Sequence, residues 1–220
     1  MGGLVIAIDG PSGVGKSSTA RAVATRLSLA CLDTGSMYRA IALGCLAGGI
    51  IDDAGAIIGF TARASLRLGT DPAGTTIALN GVDVTADIRD PGVSAQVSKV
   101  ATIQGVRDIL TAQMRAIVNR QQRIVVEGRD ITTVVCPDAD VRVLLVADPA
   151  ARMARRNAQV GGVLNEAALA DQVVLRDKAD ATMSAFATPA PGVSLIDSTQ
   201  LSLEQVVDAI VALVREGCVK

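Results

Sequence analysis

Residues 4–18 read LVIAIDGPSGVGKSS. Leu4–Ile8 is a short, unbroken apolar run, the pattern of a strand buried on both faces of a parallel sheet. Gly10-Pro11-Ser12-Gly13-Val14-Gly15-Lys16-Ser17 then matches G-x-x-x-x-G-K-[ST] in full, with Ser18 adjoining. Glycines at these places let backbone N–H groups converge on phosphate oxygens without a Cβ in the way. The amphipathic stretch Ser17–Leu27 follows as a helix beginning near Lys16, its positive dipole end turned toward the same anion. Strand, loop and helix together predict a triphosphate cradle. Lys16 is expected to reach the β- and γ-phosphates, and the Ser17 hydroxyl to ligate Mg²⁺.

Four more apolar runs bounded by Gly, Asp or Pro repeat the strand signal: Cys31–Leu32, Ile124–Val126, Val141–Ala147 and Val193–Ile196. Segments of helical character lie between them, which predicts a five-stranded parallel sheet flanked by helices. The last helix is the best marked: Ser202 and Gln205 form a capping box, and apolar residues recur at helical spacing from Leu203 to Val214 before Gly217. Asp148-Pro149 opens another helix, an N-cap followed by proline at the first helical position. One segment breaks the rhythm. Thr75–Thr85 reads TTIALNGVDVT, and Asn80-Gly81 supplies the two positive-φ positions of a tight hairpin. Residues 60–96 are therefore expected to form a small inserted antiparallel subdomain within a single domain spanning 1–220.

Composition removes whole classes of function. Twenty-one Lys and Arg against 22 Asp and Glu leave a net charge of −1, which argues against broad adhesion to nucleic acid or an anionic membrane. One Tyr, two Phe and no Trp cannot build a stacking platform for single strands. Histidine is absent, so His-dependent triads and imidazole metal sites are excluded. Cys31, Cys45, Cys136 and Cys218 are scattered with no C-x-x-C pair, as expected of reduced thiols. No apolar run is long enough to span a bilayer, and the first residues lack signal-peptide character. A cytoplasmic monomer is expected, with small-molecule partners and neither nucleic acid nor membrane among them.

A phosphate loop alone names only a superfamily. Two classes remain open: a nucleotide-dependent switch or ATPase, and a kinase acting on a small acceptor such as a nucleotide, shikimate or a sugar acid. Asp177-Lys178-Ala179-Asp180 is a poor guanine reader, because Asp stands where Asn or Thr is needed and Ala167–Leu175 before it is helical in character. A nucleoside monophosphate is its own nucleophile, largely dianionic near neutrality, so a chain without histidine can still catalyse phosphoryl transfer. The reaction does need cations that hold two repelling phosphates together. Arginines occur where they would serve. Asp33-Thr34-Gly35-Ser36-Met37-Tyr38-Arg39 and Glu127-Gly128-Arg129-Asp130 each follow a strand, where an open parallel sheet places ligands. Arg152, Arg155 and Arg156 share one helix face, as a site or as a solvated basic surface. Glu127 or Asp33 is placed to hold Mg²⁺ through water.

Taken together, IDGPSGVGKSS (8–18), LDTGSMYR (32–39), VSKVATIQGVRDIL (97–110), IVVEGRDITTVVCPDADVRVLL (124–145), RRNAQ (155–159), RDKAD (176–180) and LIDST (195–199) resemble the bacterial cytidylate kinases. NGVDVTADIR (80–89) is similar to that family's extra subdomain. The resemblance implies a P-loop kinase core with the inserted subdomain on the CMP side and a mobile lid near 150–165. It implies transfer of the γ-phosphoryl group of ATP to CMP or dCMP. Thr34, Ser98, Arg107 and Asp130 then match positions that hold cytidine, the last three around the base. Tyr38, Arg39 and Arg129 match positions around the acceptor phosphate, and Arg176 and Asp180 match an R-D-x-x-D element whose aspartate reads the sugar. Lys16, Arg39 and Arg129, with Arg152, Arg155 and Arg156 in the lid, become the catalytic cations. One departure stands out: the family pattern continues R-D-x-x-D-x-x-R, whereas this chain has Met183 at the last position. Methionine cannot contact a phosphate as arginine does, so CMP affinity below that usual for the family is expected.

Overall fold

The computed structural model describes residues 2–159 and 188–217, and in it all five apolar runs become strands of one parallel sheet. These are β1 (Leu4–Asp9), β2 (Ala30–Asp33), β6 (Arg123–Gly128), β7 (Val141–Val146) and β8 (Ser194–Asp197), in the order β2-β6-β1-β7-β8. A second, antiparallel sheet is made of β3 (Leu66–Leu68), β4 (Ile77–Leu79) and β5 (Val82–Asp83). The helices among the described residues are α1 (Lys16–Leu27), α2 (Thr34–Ala47), α3 (Ala54–Arg63), α4 (Pro91–Ala101), α5 (Gln104–Gln121), α6 (Pro149–Gln159) and α7 (Leu203–Gly217).

Side-chain alternation along the central strands sets the layers. Ile6, Ile8, Val125, Val143 and Leu145 pack with Val23 of α1 and Ile210 of α7. Ala7, Ile124 and Val126 pack the other way, with Ile41 of α2, Val97 of α4 and Leu110 and Met114 of α5. The strands end in register, with Asp33 opposite Glu127 and Asp9 opposite Gly128. Three acidic residues thus reach the carboxyl edge of the sheet close to where the strand order reverses, the usual place for a ligand in an open α/β sheet.

The helix signals are realised in detail. Gln205 Oε1 accepts from Ser202 N–H at 2.8 Å while Gln205 N–H donates to Ser202 Oγ at 3.2 Å, the reciprocal bonds of a capping box. Arg152 N–H donates to Asp148 O at 3.0 Å in the first turn of α6. The hairpin also forms, with Asn80 at φ 51° and Gly81 at φ 87° between β4 and β5. Its third strand, β3, is not signalled in the sequence: it contributes only three residues, and its nearest rung to β4 pairs Leu68 with Ile77, nine positions along the chain. The small sheet shares its core with α2. Ile77, Leu79, Val84 and Ile88 pack against Ala40 and Leu43 of α2, so the segment expected as an insert is seated on the helix that carries Arg39. Its loop also reaches the main sheet, where Cys31 N–H donates to Thr70 O at 2.8 Å and Gln121 Nε2 donates to Thr70 Oγ1 at 3.0 Å.

The expected lid, 150–165, begins within α6, and residues 160–165 lie outside the described residues. Cys31, Cys45 and Cys136 are buried free thiols, and Cys218 lies outside the described residues. No helix among the described residues is long and apolar enough to cross a membrane.

Candidate active site at the strand ends

The glycine-rich loop joins β1 to α1 at the carboxyl edge of the sheet. Gly10 must be glycine because a Cβ there would collide with the carbonyl oxygen of Leu145 on β7. Gly15 caps α1 with φ 98°, a left-handed conformation, and brings no side chain to the first-turn amides, which suits an anion. Lys16 Nζ donates to Pro11 O at 2.8 Å, so its ammonium is folded over the loop. Ser17 Oγ donates to Glu127 Oε1 at 2.6 Å, which ties the start of α1 to the end of β6.

Helix α6 grips the loop from the other side. Arg152 Nη1 donates to Ser12 O at 3.3 Å. Arg155 donates to Val14 O at 3.3 Å, to Ser198 Oγ at 3.0 Å and to Ser198 O at 2.6 Å, clamping the loop to the end of β8. The two guanidiniums are thus turned onto the loop's carbonyls and away from a solvated face. The side chain of Arg156 lies outside the described residues.

Two carboxylates meet beside Ser17. Asp33 caps α2 by accepting from Ser36 N–H at 3.1 Å, and in the strand register it faces Glu127. Burial first, and then the charge of Asp33, push the Glu127 carboxyl up to about 7, against the opposing pull of Lys16, the Ser17 hydrogen bond and Arg39. No group of three or more His, Cys, Asp or Glu side chains suited to a metal occurs among the described residues. Mg²⁺ needs fewer, since it keeps waters and takes ligands from bound phosphates. The Ser17 hydroxyl and two crowded carboxylates are hard oxygen donors whose repulsion a divalent cation relieves, and in that respect they fit it. Burial, with Glu127 and Asp33 nearby, pushes the Cys31 thiol up to about 12, so it is not a nucleophile at neutral pH.

A cleft of about 330 Å³ opens from this point, lined by Ser17, Asp33, Glu127, Arg39, Arg21 and Arg89. Arg39 has its Nε buried with no hydrogen-bond partner among the described residues, although its guanidinium edges an open cleft. Arg21 and Arg89 were not singled out from sequence. Arg21 lies one turn beyond Ser17 on α1, and Arg89 ends the NGVDVTADIR phrase, so position within a motif was the available signal for both.

Beyond the cleft, Arg107 of α5 forms a largely buried ion pair with Asp130, which follows β6. Arg107 also donates to Ala101 O at 3.3 Å. Burial, then the Asp130 charge, push the Tyr38 phenol up to about 12, so it stays a hydrogen-bond donor beside that pair. Thr34 Oγ1 donates to Glu127 O at 2.9 Å. This contact leaves no room at Gly128, where a Cβ would strike Thr34 Oγ1 and come within 2.6 Å of Ile131 Cδ1. The glycine of Glu127-Gly128-Arg129-Asp130 is therefore a packing requirement that lets the strand end approach α2. Arg129 is half-buried at the same strand end, and Ser98 is half-buried on α4, where its carbonyl accepts from Thr102 Oγ1 at 2.8 Å. Arg176, Asp180 and Met183 lie outside the described residues.

A family model described as cytidylate kinase matches residues 6–216. A Cutibacterium acnes protein named cytidylate kinase is 55% identical over 213 residues, covering 96% of this chain and 96% of its own. A Corynebacterium glutamicum protein of the same name is 46% identical over 219 residues, covering 97% and 95%. In fold alone, the chain is similar to an uncharacterized protein from Eubacterium ventriosum, with a TM-score of 0.52 at 11% identity over 96% of this chain and 98% of that one.

Proposed function

Because this chain belongs to the cytidylate kinase family, we propose that it transfers the γ-phosphoryl group of ATP to CMP or dCMP, giving ADP and CDP or dCDP. The observation that supports this most is the buried Arg107–Asp130 pair set one residue beyond Arg129, at the end of the strand whose Glu127 bonds the phosphate-loop Ser17. Cytosine presents a donor at N4 beside acceptors at N3 and O2, and Asp130 with Arg107 and Ser98 offers the complementary set. Tyr38, Arg39 and Arg129 hold the acceptor phosphate, with Arg21 and Arg89 adding positive charge to the same cleft. Thr34 supports the cytidine side, Arg176 binds with the acceptor, and Asp180 reads the sugar.

On the donor side, residues 10–18 cradle the triphosphate, and Lys16 follows the charge that develops on the transferring group. Ser17, Glu127 and Asp33 would hold Mg²⁺, which would supply positive charge to offset that of the triphosphate. Arg152 and Arg156 act from the lid near 150–165, which closes over ATP and excludes water. Arg155 keeps the loop in register with the end of β8. No protein group need abstract a proton, since the attacking oxygen of CMP is already anionic. The insert near 60–96 carries Arg89 to the CMP side.

A coupled ADP-release assay across CMP, dCMP, UMP, AMP and shikimate tests the reading, with direct detection of CDP. Turnover with CMP and dCMP above the others supports it. Slow hydrolysis that CMP does not accelerate points to a nucleotide switch, and preference for another acceptor points to a different kinase. CMP affinity is expected to be weak for the family, and Met183→Arg should lower the CMP KM.

A further inference from the structure

An aspartate at the head of a helical turn ordinarily bonds that turn's own first amides. Asp130 holds this position ahead of a π-helical turn, Ile131–Val135, yet its side chain makes no capping bond and pairs with Arg107. The amides are satisfied from elsewhere. Ile131 N–H donates to Asp9 Oδ1 at 2.8 Å, Thr132 N–H donates to Asp9 Oδ2 at 2.9 Å, and the Thr132 hydroxyl donates to the same Oδ2 at 2.5 Å. Asp9 ends the central strand, is only 4% exposed, and directly precedes Gly10. A carboxylate buried to this degree is costly unless its oxygens are bonded, and here three donors from one turn bond it. The far end of the turn is pinned as well, by Arg115 donating to Val134 O at 2.6 Å and to Val135 O at 3.2 Å.

We infer that Asp9 is a positioning residue for the acceptor base: by capping the turn from a neighbouring strand, it leaves the Asp130 carboxylate available to Arg107 and to the N4 amino group of cytosine. Without Asp9, the amides of Ile131 and Thr132 compete for Asp130, their nearest carboxylate along the chain. The carboxylate that distinguishes an N4 donor from the O4 acceptor of uracil is then drawn away from the base. The inference rests on the function proposed above and assigns Asp9 a part in selectivity across a sheet strand, with no contact to the nucleotide.

The test is the ratio of kcat/KM for CMP to that for UMP, measured with thermal stability and the ATP KM in Asp9→Asn, Thr132→Val and Thr132→Ser. Asparagine keeps the shape of Asp9 but turns an amino group toward one set of donors; Thr132→Val removes only the hydroxyl bond at a site 3% exposed. Asp9→Asn should lower the ratio about tenfold, and Thr132→Val severalfold, with the ATP KM unchanged. Thr132→Ser, which keeps the hydroxyl, should restore the ratio. A buried brace with no bearing on the base would lower stability and leave the ratio alone, and that result in both Asp9→Asn and Thr132→Val overturns the inference. If Asp9→Asn does not fold, the Thr132 pair decides. Failure of the unaltered protein to make any CDP is a separate result and overturns the parent proposal together with this one.

Discussion

The two sides of the cleft are built on opposite plans. The proposed donor side is one continuous stretch, residues 10–17, whose working groups would be mainly backbone amides held by loop geometry and a helix end. The acceptor side proposed above would be assembled from side chains on separate elements: Tyr38 and Arg39 on α2, Ser98 on α4, Arg107 on α5, and Arg129 with Asp130 after β6. A backbone cradle is specified locally, so damage to it falls on the chemical step. A set of side chains converging from four elements depends on how those elements pack, so damage there falls on affinity and selectivity.

The largest effect is expected at Lys16. Lys16→Ala should cut kcat by about 10³ or more while thermal unfolding stays near that of the unaltered protein. A kcat within tenfold would mean that the cradle's charge comes from elsewhere. Next comes Arg39, whose removal takes a charge-assisted contact worth about 1.5–3 kcal/mol from the acceptor. Arg39→Ala should lower kcat/KM for CMP by about 10–100-fold and leave the ATP KM unchanged. An equal rise in both KM values would erase the division between the sides. Arg155→Ala should do the reverse on a smaller scale, raising the ATP KM up to about tenfold with little change for CMP, because its partners are Val14 and Ser198.

The smallest effect is a pH dependence. Without Mg²⁺, the Glu127 carboxyl titrates at about 7 in the fold, against 4.5 as its ordinary value. Between those values the folded protein keeps a proton that the unfolded chain has released, so stability should fall as pH rises through the window and level off above it. Burial also raises the pKa of Asp9, a shift of the same sign. Melting curves in chelator should show the decline, and Glu127→Gln should flatten most of it. An unchanged slope in that variant would mean that another group titrates there.

This division also explains what was legible in sequence. The five strands could be read because each is a continuous apolar run, and the cradle because strand, loop and helix are contiguous. β3 was missed because three residues carry too little pattern, and its pairing is visible only beside β4. Arg107 and Asp130 could be nominated one by one, but their pairing comes from the packing of α5 against the turn after β6. The partners of Arg155 could not be read at all: a basic helix face looks the same in sequence whether it meets solvent or a carbonyl 141 residues away. Asp9 carries no such signal in sequence for the same reason, since its donors lie 122 and 123 residues downstream.

The bond from Cys31 to the Thr70 carbonyl has a consequence of its own. β2 is the outermost strand on its side of the main sheet, and such a strand invites pairing with a foreign chain unless something occupies its open hydrogen-bonding row. The segment that carries the small sheet is therefore also a guard against self-association. A shortened version lacking it would be prone to stick to itself before any question of catalysis arose.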